Sequence, residues 1–262
     1  MVVFHNTFFS AFIYYSMKKQ NPCFIGIGVQ KGGTTWVYQQ LRNHPQIGFP
    51  RMHGRKVKEM HFVNRLKITL NKYLEKIAAV NTHKVGEITP NYIATPYAPA
   101  FIKTYFPNTK LFVVFRNPAD RAFSHYKDHL FYEKIPQDVG FMQAFREGHP
   151  KKELDCFSIK SKGMYGDQLE LWLKYFNKEQ LKIMFYDDLV TEPAKFIQEI
   201  YEHVEVEKNY LPTNYKDKVV KRYNKAFDNM VFDVNDRKEV SNFYKEQIQK
   251  LSDLTGRKLS WN

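Results

Sequence analysis

The stretch Cys23-Phe24-Ile25-Gly26-Ile27-Gly28-Val29-Gln30-Lys31-Gly32-Gly33-Thr34-Thr35-Trp36 passes from an apolar run, through a glycine pair, into a helical pattern. Residues 23–29 are short and almost wholly apolar, as in a strand buried on both faces of a parallel sheet. Residues 34–42 then read as a helix. At such a junction the glycines let the chain turn sharply while backbone N–H groups converge, and the helix presents its positive dipole end. Lys31 adds a mobile charge and the two threonines add hydroxyls. An ordinary strand-to-helix turn also favours glycine, but lysine, two glycines and two threonines together point to a bound phosphate.

Working outward, the same strand-then-helix alternation recurs. Apolar runs at 111–115 and 181–186 have the length of buried strands. The first is followed by a helical pattern at 118–131, with Pro118 suited to the opening turn. The second is followed by one at 192–204, with Thr191 placed to cap it and Pro193 in its first turn. Residues 165–176 set Leu169, Trp172, Leu173 and Phe176 on one helical face, and Val240, Phe243, Tyr244, Ile248 and Leu251 repeat at helical spacing near the end. Trp36 and Trp172 fall on apolar faces and read as packing. Strands alternating with helices predict an α/β fold, a central parallel sheet with helices on both sides. No repeat or Gly/Ser linker divides the chain, so a single domain is expected. Ligands of such sheets bind beyond the carboxyl ends of the strands, which directs attention to the residues after 29 and after 115.

Composition narrows the partners. The 262 residues carry 40 Lys and Arg against 27 Asp and Glu, a formal +13 spread along the chain. That field attracts anions of many kinds and is equally what keeps a soluble protein in solution. Two cysteines, Cys23 and Cys156, leave no disulfide framework or paired-cysteine metal site and favour a reducing compartment. Residues 2–16 are largely apolar but are interrupted by His5, Asn6 and Thr7 and fall short of a bilayer span of ~20 residues. No basic region precedes them and no small-residue cleavage site follows, so no stable membrane span or secretory signal is expected. Residues 1–16 read as an apolar extension ahead of a domain at 17–262, with Met17 a candidate start.

The second junction is Phe115-Arg116-Asn117-Pro118-Ala119-Asp120-Arg121-Ala122-Phe123-Ser124-His125-Tyr126. Arg116 stands at a strand end, where its guanidinium can fork onto a phosphate. Ser124 follows two helical turns later, and Asn117-Pro118 permits the chain to fold back and bring the two together. The alternative is an arginine paired to a helix and a solvated serine. Nucleoside triphosphate hydrolases and kinases are disfavoured: their loop places lysine after the glycines and beside the metal-binding hydroxyl, whereas Lys31 precedes Gly32 and Gly33. Arg116 also stands where such enzymes often place a magnesium-binding aspartate.

These two junctions resemble the nucleotide motifs of the sulfotransferases that use 3′-phosphoadenosine 5′-phosphosulfate (PAPS). Residues 30–36 are similar to the 5′-phosphosulfate loop, and residues 115–126 to the 3′-phosphate motif. Lys58-Glu59-Met60-His61-Phe62, Gly86-Glu87-Ile88-Thr89-Pro90-Asn91-Tyr92 and residues 254–261 resemble segments of the heparan sulfate and bacterial carbohydrate branch, in family order. The resemblance implies a P-loop-like, nucleotide-kinase-like fold and PAPS as co-substrate, with no metal required. It implies that Lys31, Gly32, Gly33, Thr34 and Thr35 hold the 5′ end of the donor, and that Arg116 and Ser124 grip the 3′-phosphate. Glu59 matches the catalytic base of the glycan-modifying enzymes, with His61 beside it as the alternative base; Lys31 faces the leaving oxygen. Without the resemblance, Glu59 would read as a surface carboxylate among Arg55, Lys56 and Lys58.

The chain also departs from that pattern. Ile88 stands where the heparan-type enzymes carry a lysine near the acceptor, which counts against a heparan-like substrate. Their Lys-Gly-Arg phosphate turn has no clear counterpart, Lys221-Arg222-Tyr223 being the candidate replacement, and their terminal cysteine pair is absent. A cytoplasmic bacterial or viral enzyme is therefore expected over a Golgi one. The acceptor expected is a hydroxyl or amine, on a carbohydrate or else on a small alcohol, phenol or lipid. The rival class is a basic nucleic-acid-binding protein whose cations contact backbone phosphates, but no helix-turn-helix or RNA-binding signature supports specific nucleic-acid recognition.

Overall fold

The computed structural model describes residues 21–65, 68–147, 158–213, 215–216, 227 and 229–261. The 1–16 extension, Met17, Cys156 and Lys221-Arg222-Tyr223 lie outside the described residues.

The apolar run of the opening stretch forms β1 (Phe24–Gly28), all of it buried. It lies between β5 (Lys84–Ile88) and β6 (Lys110–Phe115) and pairs with both in parallel. With β2 (Ile47–Gly48) beyond β5 and β7 (Leu181–Phe185) beyond β6, the order β2-β5-β1-β6-β7 is parallel throughout. A two-residue antiparallel ribbon, β3 (Arg51–Met52) with β4 (Arg55–Lys56), stands apart from this sheet. β5 escapes a reading by apolar run because Gly86 and Glu87 interrupt it. Glycine is required at 86, since a Cβ there would lie 2.3 Å from the Phe24 carbonyl oxygen.

Successive side chains of a strand face opposite ways, and here they feed two cores. Ile25, Ile27, Leu111, Val113 and Phe115 pack with α5 (Pro118–Phe131), α7 (Tyr165–Leu173) and α10 (Val234–Thr255). Phe24, Ile88, Phe112, Val114 and Met184 pack with α1 (Thr34–Asn43) and α9 (Pro193–His203). The sheet is thus sandwiched between helical layers, as the alternation of elements predicts. Smaller helices, α2 (Phe62–Arg65), α3 (Leu70–Ala78), α4 (Ala98–Tyr105), α6 (Phe141–Glu147) and α8 (Tyr186–Thr191), and two 3-10 turns, Tyr92–Ala94 and Ser161–Gly163, complete the described elements. Trp36 and Trp172 are both core residues, and Trp172 Nε1 donates to the Ile93 carbonyl at 3.1 Å. Among the described residues no helix is long and apolar enough to cross a membrane.

The structure differs locally from the sequence reading, and α7 ends at Leu173 rather than running on to residue 176. Thr191 is the last residue of α8, its hydroxyl donating to the Asp187 carbonyl, and the residue preceding α9 is Glu192. Tyr186 opens α8 rather than closing β7. Phe243 is 40% exposed although it shares the helical repeat of Val240, Tyr244, Ile248 and Leu251, which are buried.

Candidate active site

The loop after β1 is shaped by backbone constraints. Gly32 N–H donates to Val29 O at 3.0 Å, and a Cβ on Gly32 would sit 2.5 Å from the Val114 carbonyl, so only glycine lets the loop lie against β6. Gly33 precedes α1 with φ 91° and supplies no side-chain cap. The first N–H groups of a helix lack an acceptor one turn back; Trp36 N–H closes onto Gly33 O at 2.9 Å, while Gly33 offers no side-chain cap to those of Thr34 and Thr35, which suits them to an anion. Lys31 itself has φ 72°, one of five non-glycine residues with positive φ among those described; His61, at φ 51°, is another. Such conformations cost of order 1 kcal/mol and persist where surrounding contacts fix them.

The two sequence junctions meet at this loop. Arg116, just past the end of β6, donates Nη1 to the Lys31 carbonyl at 3.1 Å across a separation of 85 residues. Its guanidinium lies 4.7 Å from the centre of the Tyr186 ring, whose edge is 2.9 Å from where a Cβ on Gly33 would be. Asn117 caps α5 by accepting from the N–H groups of Ala119 and Asp120 at 2.9 and 3.3 Å, which fixes the direction in which that helix leaves the strand. Ser124 stands half-buried on α5, one turn before Asp128. Asp128 accepts from Lys31 Nζ at 2.8 Å in a largely buried ion pair. Burial lowers the Lys31 ammonium to about 8; Asp128 opposes that fall, while Lys58 and Lys134 add to it.

Lys58 ties this corner to the second half of the site. Its ammonium donates to Thr34 Oγ1 at 3.0 Å and to Glu59 Oε1 at 3.2 Å. The other carboxylate oxygen of Glu59 lies 3.0 Å from His61 Nε2, and His61 Nδ1 lies 3.2 Å from Asn64 Oδ1. Burial favours the neutral form of Glu59, yet the His61 hydrogen bond and the Lys58 charge outweigh it and hold the carboxyl at about 2. At 35% side-chain exposure, against 15% for Lys58 and 19% for His61, Glu59 is the most open of the three. The structure therefore brings together Lys31, Gly32, Gly33, Thr34, Arg116, Glu59 and His61. Thr35 follows in the first turn of α1, half-buried.

Ile88 plays no part in this cleft. It ends β5 fully buried in the core beside α1, so its side chain faces away from Glu87 and packs with Phe24 and Phe112. The substitution read as an altered acceptor contact is a core residue in this chain. Lys58, Asp128 and Tyr186 join the site, and Glu87 stands behind it, without a role that the sequence alone assigns to them. Asp128 shares a helical face with Ser124, which is the trace it leaves in the sequence.

This geometry, a glycine loop and a strand-end arginine in contact over a parallel sheet, agrees with the comparisons to known proteins. The profile of the family described as "Sulfotransferase domain" matches residues 22–258. The chain belongs to the sulfotransferase family. It is 33% identical over 180 residues to human heparan sulfate glucosamine 3-O-sulfotransferase 6, an alignment covering 68% of this chain and 50% of that protein. The chain spans about half the length of the curated relatives it matches. A sulfotransferase from Alicyclobacillus acidocaldarius superposes with a TM-score of 0.75 at 22% identity, covering 92% of this chain and 99% of that one. Mouse sulfotransferase SULT7A1, solved with PAP, superposes with a TM-score of 0.55 at 13% identity, covering 91% and 88%. These two likenesses establish the P-loop-like sulfotransferase fold.

Proposed function

We propose that the protein transfers a sulfuryl group from PAPS to a hydroxyl, or an amine, of a carbohydrate acceptor. The observation that carries this reading is the Arg116–Lys31 contact at 3.1 Å, which joins the loop suited to a 5′-phosphosulfate to the arginine suited to a 3′-phosphate. The carbohydrate half is supported by the heparan sulfate 3-O-sulfotransferase relatives, one of them 33% identical. The uncapped start of α1 with Gly32, Gly33, Thr34 and Thr35 fits the 5′ end of the donor, and Arg116 with Ser124 the 3′-phosphate that sets PAPS apart from ordinary adenine nucleotides. We take 17–262 as the sulfotransferase domain, supported by the match over 22–258, and the two cysteines support a reducing compartment.

In this mechanism the acceptor oxygen attacks sulfur, the bond from sulfur to the 5′-phosphate oxygen breaks, and the nucleotide leaves as 3′-phosphoadenosine 5′-phosphate (PAP). Lys31 stabilises the charge developing on the leaving oxygen. Glu59 receives the acceptor proton, with His61 and Lys58 fixing the carboxylate. A carboxyl near 2 is a weak base. That suffices if the transition state is loose, as in phosphoryl transfer, where little bonding to the nucleophile has formed.

The test is thermal denaturation with PAP against AMP. A saturating ligand at about 100 times its Kd adds about 2.7 kcal/mol, and PAP should raise the melting temperature well above the AMP value. Equal shifts would overturn the assignment. Transfer of label from PAPS onto glycans, phenols, lipids and peptides then identifies the acceptor class.

A further inference from the structure

Glu87 is a buried carboxylate next to the end of β5, 1% exposed. Four donors converge on it. Tyr73 and Tyr92 hydroxyls approach Oε1 at 3.0 and 3.1 Å, while Thr89 Oγ1 and the Met60 N–H approach Oε2 at 2.6 and 2.9 Å. Two of these hydroxyls are relays. Thr89 Oγ1 also accepts from Met60 N at 3.2 Å and His61 N at 3.3 Å, and Tyr92 Oη accepts from Val63 N at 3.3 Å. A hydroxyl carries one proton, so each turns that proton toward Glu87 while its lone pairs take the backbone amide. Three amides, those of Met60, His61 and Val63, therefore end on one carboxylate, directly or through a single hydroxyl. Burial raises the Glu87 carboxyl above its usual value, and these hydrogen bonds offset only part of that rise. With four donors facing it the network is built for the ionised form, which accepts only.

Met60 sits between Glu59 and His61, so the path of this backbone decides whether the Glu59–His61 contact at 3.0 Å can form. His61 holds φ 51°, a conformation that needs such fixing. We infer that Glu87 is a positioning residue for the Glu59–His61 pair, acting through Thr89, Tyr92 and the Met60 amide without itself reaching the cleft. The inference rests on the proposed function for its catalytic meaning, whereas the anchoring of residues 60–63 can be read without any substrate.

Three variants of the full chain separate positioning from packing. Thr89→Val removes the relay to Met60 and His61. Glu87→Gln replaces an acceptor by an amide that cannot receive four donors. Tyr73→Phe removes one donor from Glu87 but keeps the ring stacked on Phe62, with centroids 4.5 Å apart, and leaves every relay in place. Hydrogen exchange at the Met60, His61 and Val63 amides is measured with melting temperature, kcat and donor KM. Thr89→Val and Glu87→Gln should speed exchange at Met60 and His61 and lower kcat, each by about tenfold or more, with donor KM within about twofold. Tyr73→Phe should lose stability but keep exchange and kcat within about twofold of the parent. Should Glu87→Gln fail to fold, Thr89→Val carries the test. Unchanged exchange in Thr89→Val, or losses of kcat that track melting temperature across all the variants, would overturn the inference. If the parent protein transferred no sulfuryl group, the functional reading would fall, and the exchange measurement would still decide whether Glu87 anchors the segment.

Discussion

The corner around Lys31 and Arg116 and the segment around Glu59 and His61 are held in different ways. In the corner, glycines set the path, a helix start supplies N–H groups, and Arg116 grips a main-chain carbonyl. In the segment, the path is set by side chains reaching from elsewhere: Thr34 through Lys58, and Glu87 of β5 with Thr89 just past its end, 27 and 29 residues from Met60. A corner whose path is set by backbone keeps its shape when most of its side chains change, Arg116 excepted. A segment hung from a buried carboxylate does not. Substitutions in the corner should therefore report directly on the charges that meet the donor, and those in the segment on geometry first.

The sharpest break is at Lys31. Lys31→Met should lower kcat by about 10²- to 10³-fold or more, the cost of removing one group that stabilises transition-state charge. The same change deprives Asp128 of its partner at 2.8 Å, so stability should fall as well. Lys31→Met/Asp128→Asn should recover melting temperature without recovering turnover. If turnover returned with stability, the lysine would be a packing residue and the corner would lose its catalytic meaning.

A smaller effect is expected at Arg116, and there the comparison is between ligands. A hydrogen bond to a charged group contributes about 1.5–3 kcal/mol, so Arg116→Ala should erase roughly 10- to 150-fold of any preference for PAP over AMP. Calorimetric titration of both nucleotides reads this directly. The loss of the bond to the Lys31 carbonyl weakens both ligands alike and cancels in the ratio. A preference that survived intact would assign the 3′-phosphate to other residues.

The corner was legible in the sequence for the same reason that it is robust. Apolar run, glycine pair and helical repeat are local patterns, and each maps onto a backbone need that structure confirms at Gly32 and Gly33. β5 was harder, because Glu87 looks wrong for a buried strand until Tyr73, Thr89 and Tyr92 are seen around it. The strand period also explains Ile88: once Glu87 faces the 60–63 segment, its neighbour must face the other core. Glu59 and His61 stand out only through family resemblance: the partners of the carboxylate, Lys58 and His61, are its sequence neighbours, but beside Arg55 and Lys56 they read equally well as surface charge. Asp128 gives no local signal of its role, because its partner, Lys31, is 97 residues away.

The mildest test sits where the corner borrows from a side chain. The buried Lys31 ammonium stands at about 8, faced by Asp128 of α5, which supports its charge, and by Lys58 and Lys134, which oppose it; His125, one turn back on α5, also lies within its field. Raising the pH through that value removes the cation, so kcat/KM for the donor, which reports groups of the free enzyme, should fall on the alkaline side. Asp128→Asn takes away the supporting charge and should carry that limb downward by about one unit. At pH 6.5, where the lysine stays charged in both proteins, the variant should remain within about threefold of the parent. Asp128→Glu should restore the limb if it is the charge, rather than the shape of the side chain, that matters. A limb that did not move in Asp128→Asn would mean that the group titrating there is not Lys31, and the ion pair of the corner would then be a structural contact only.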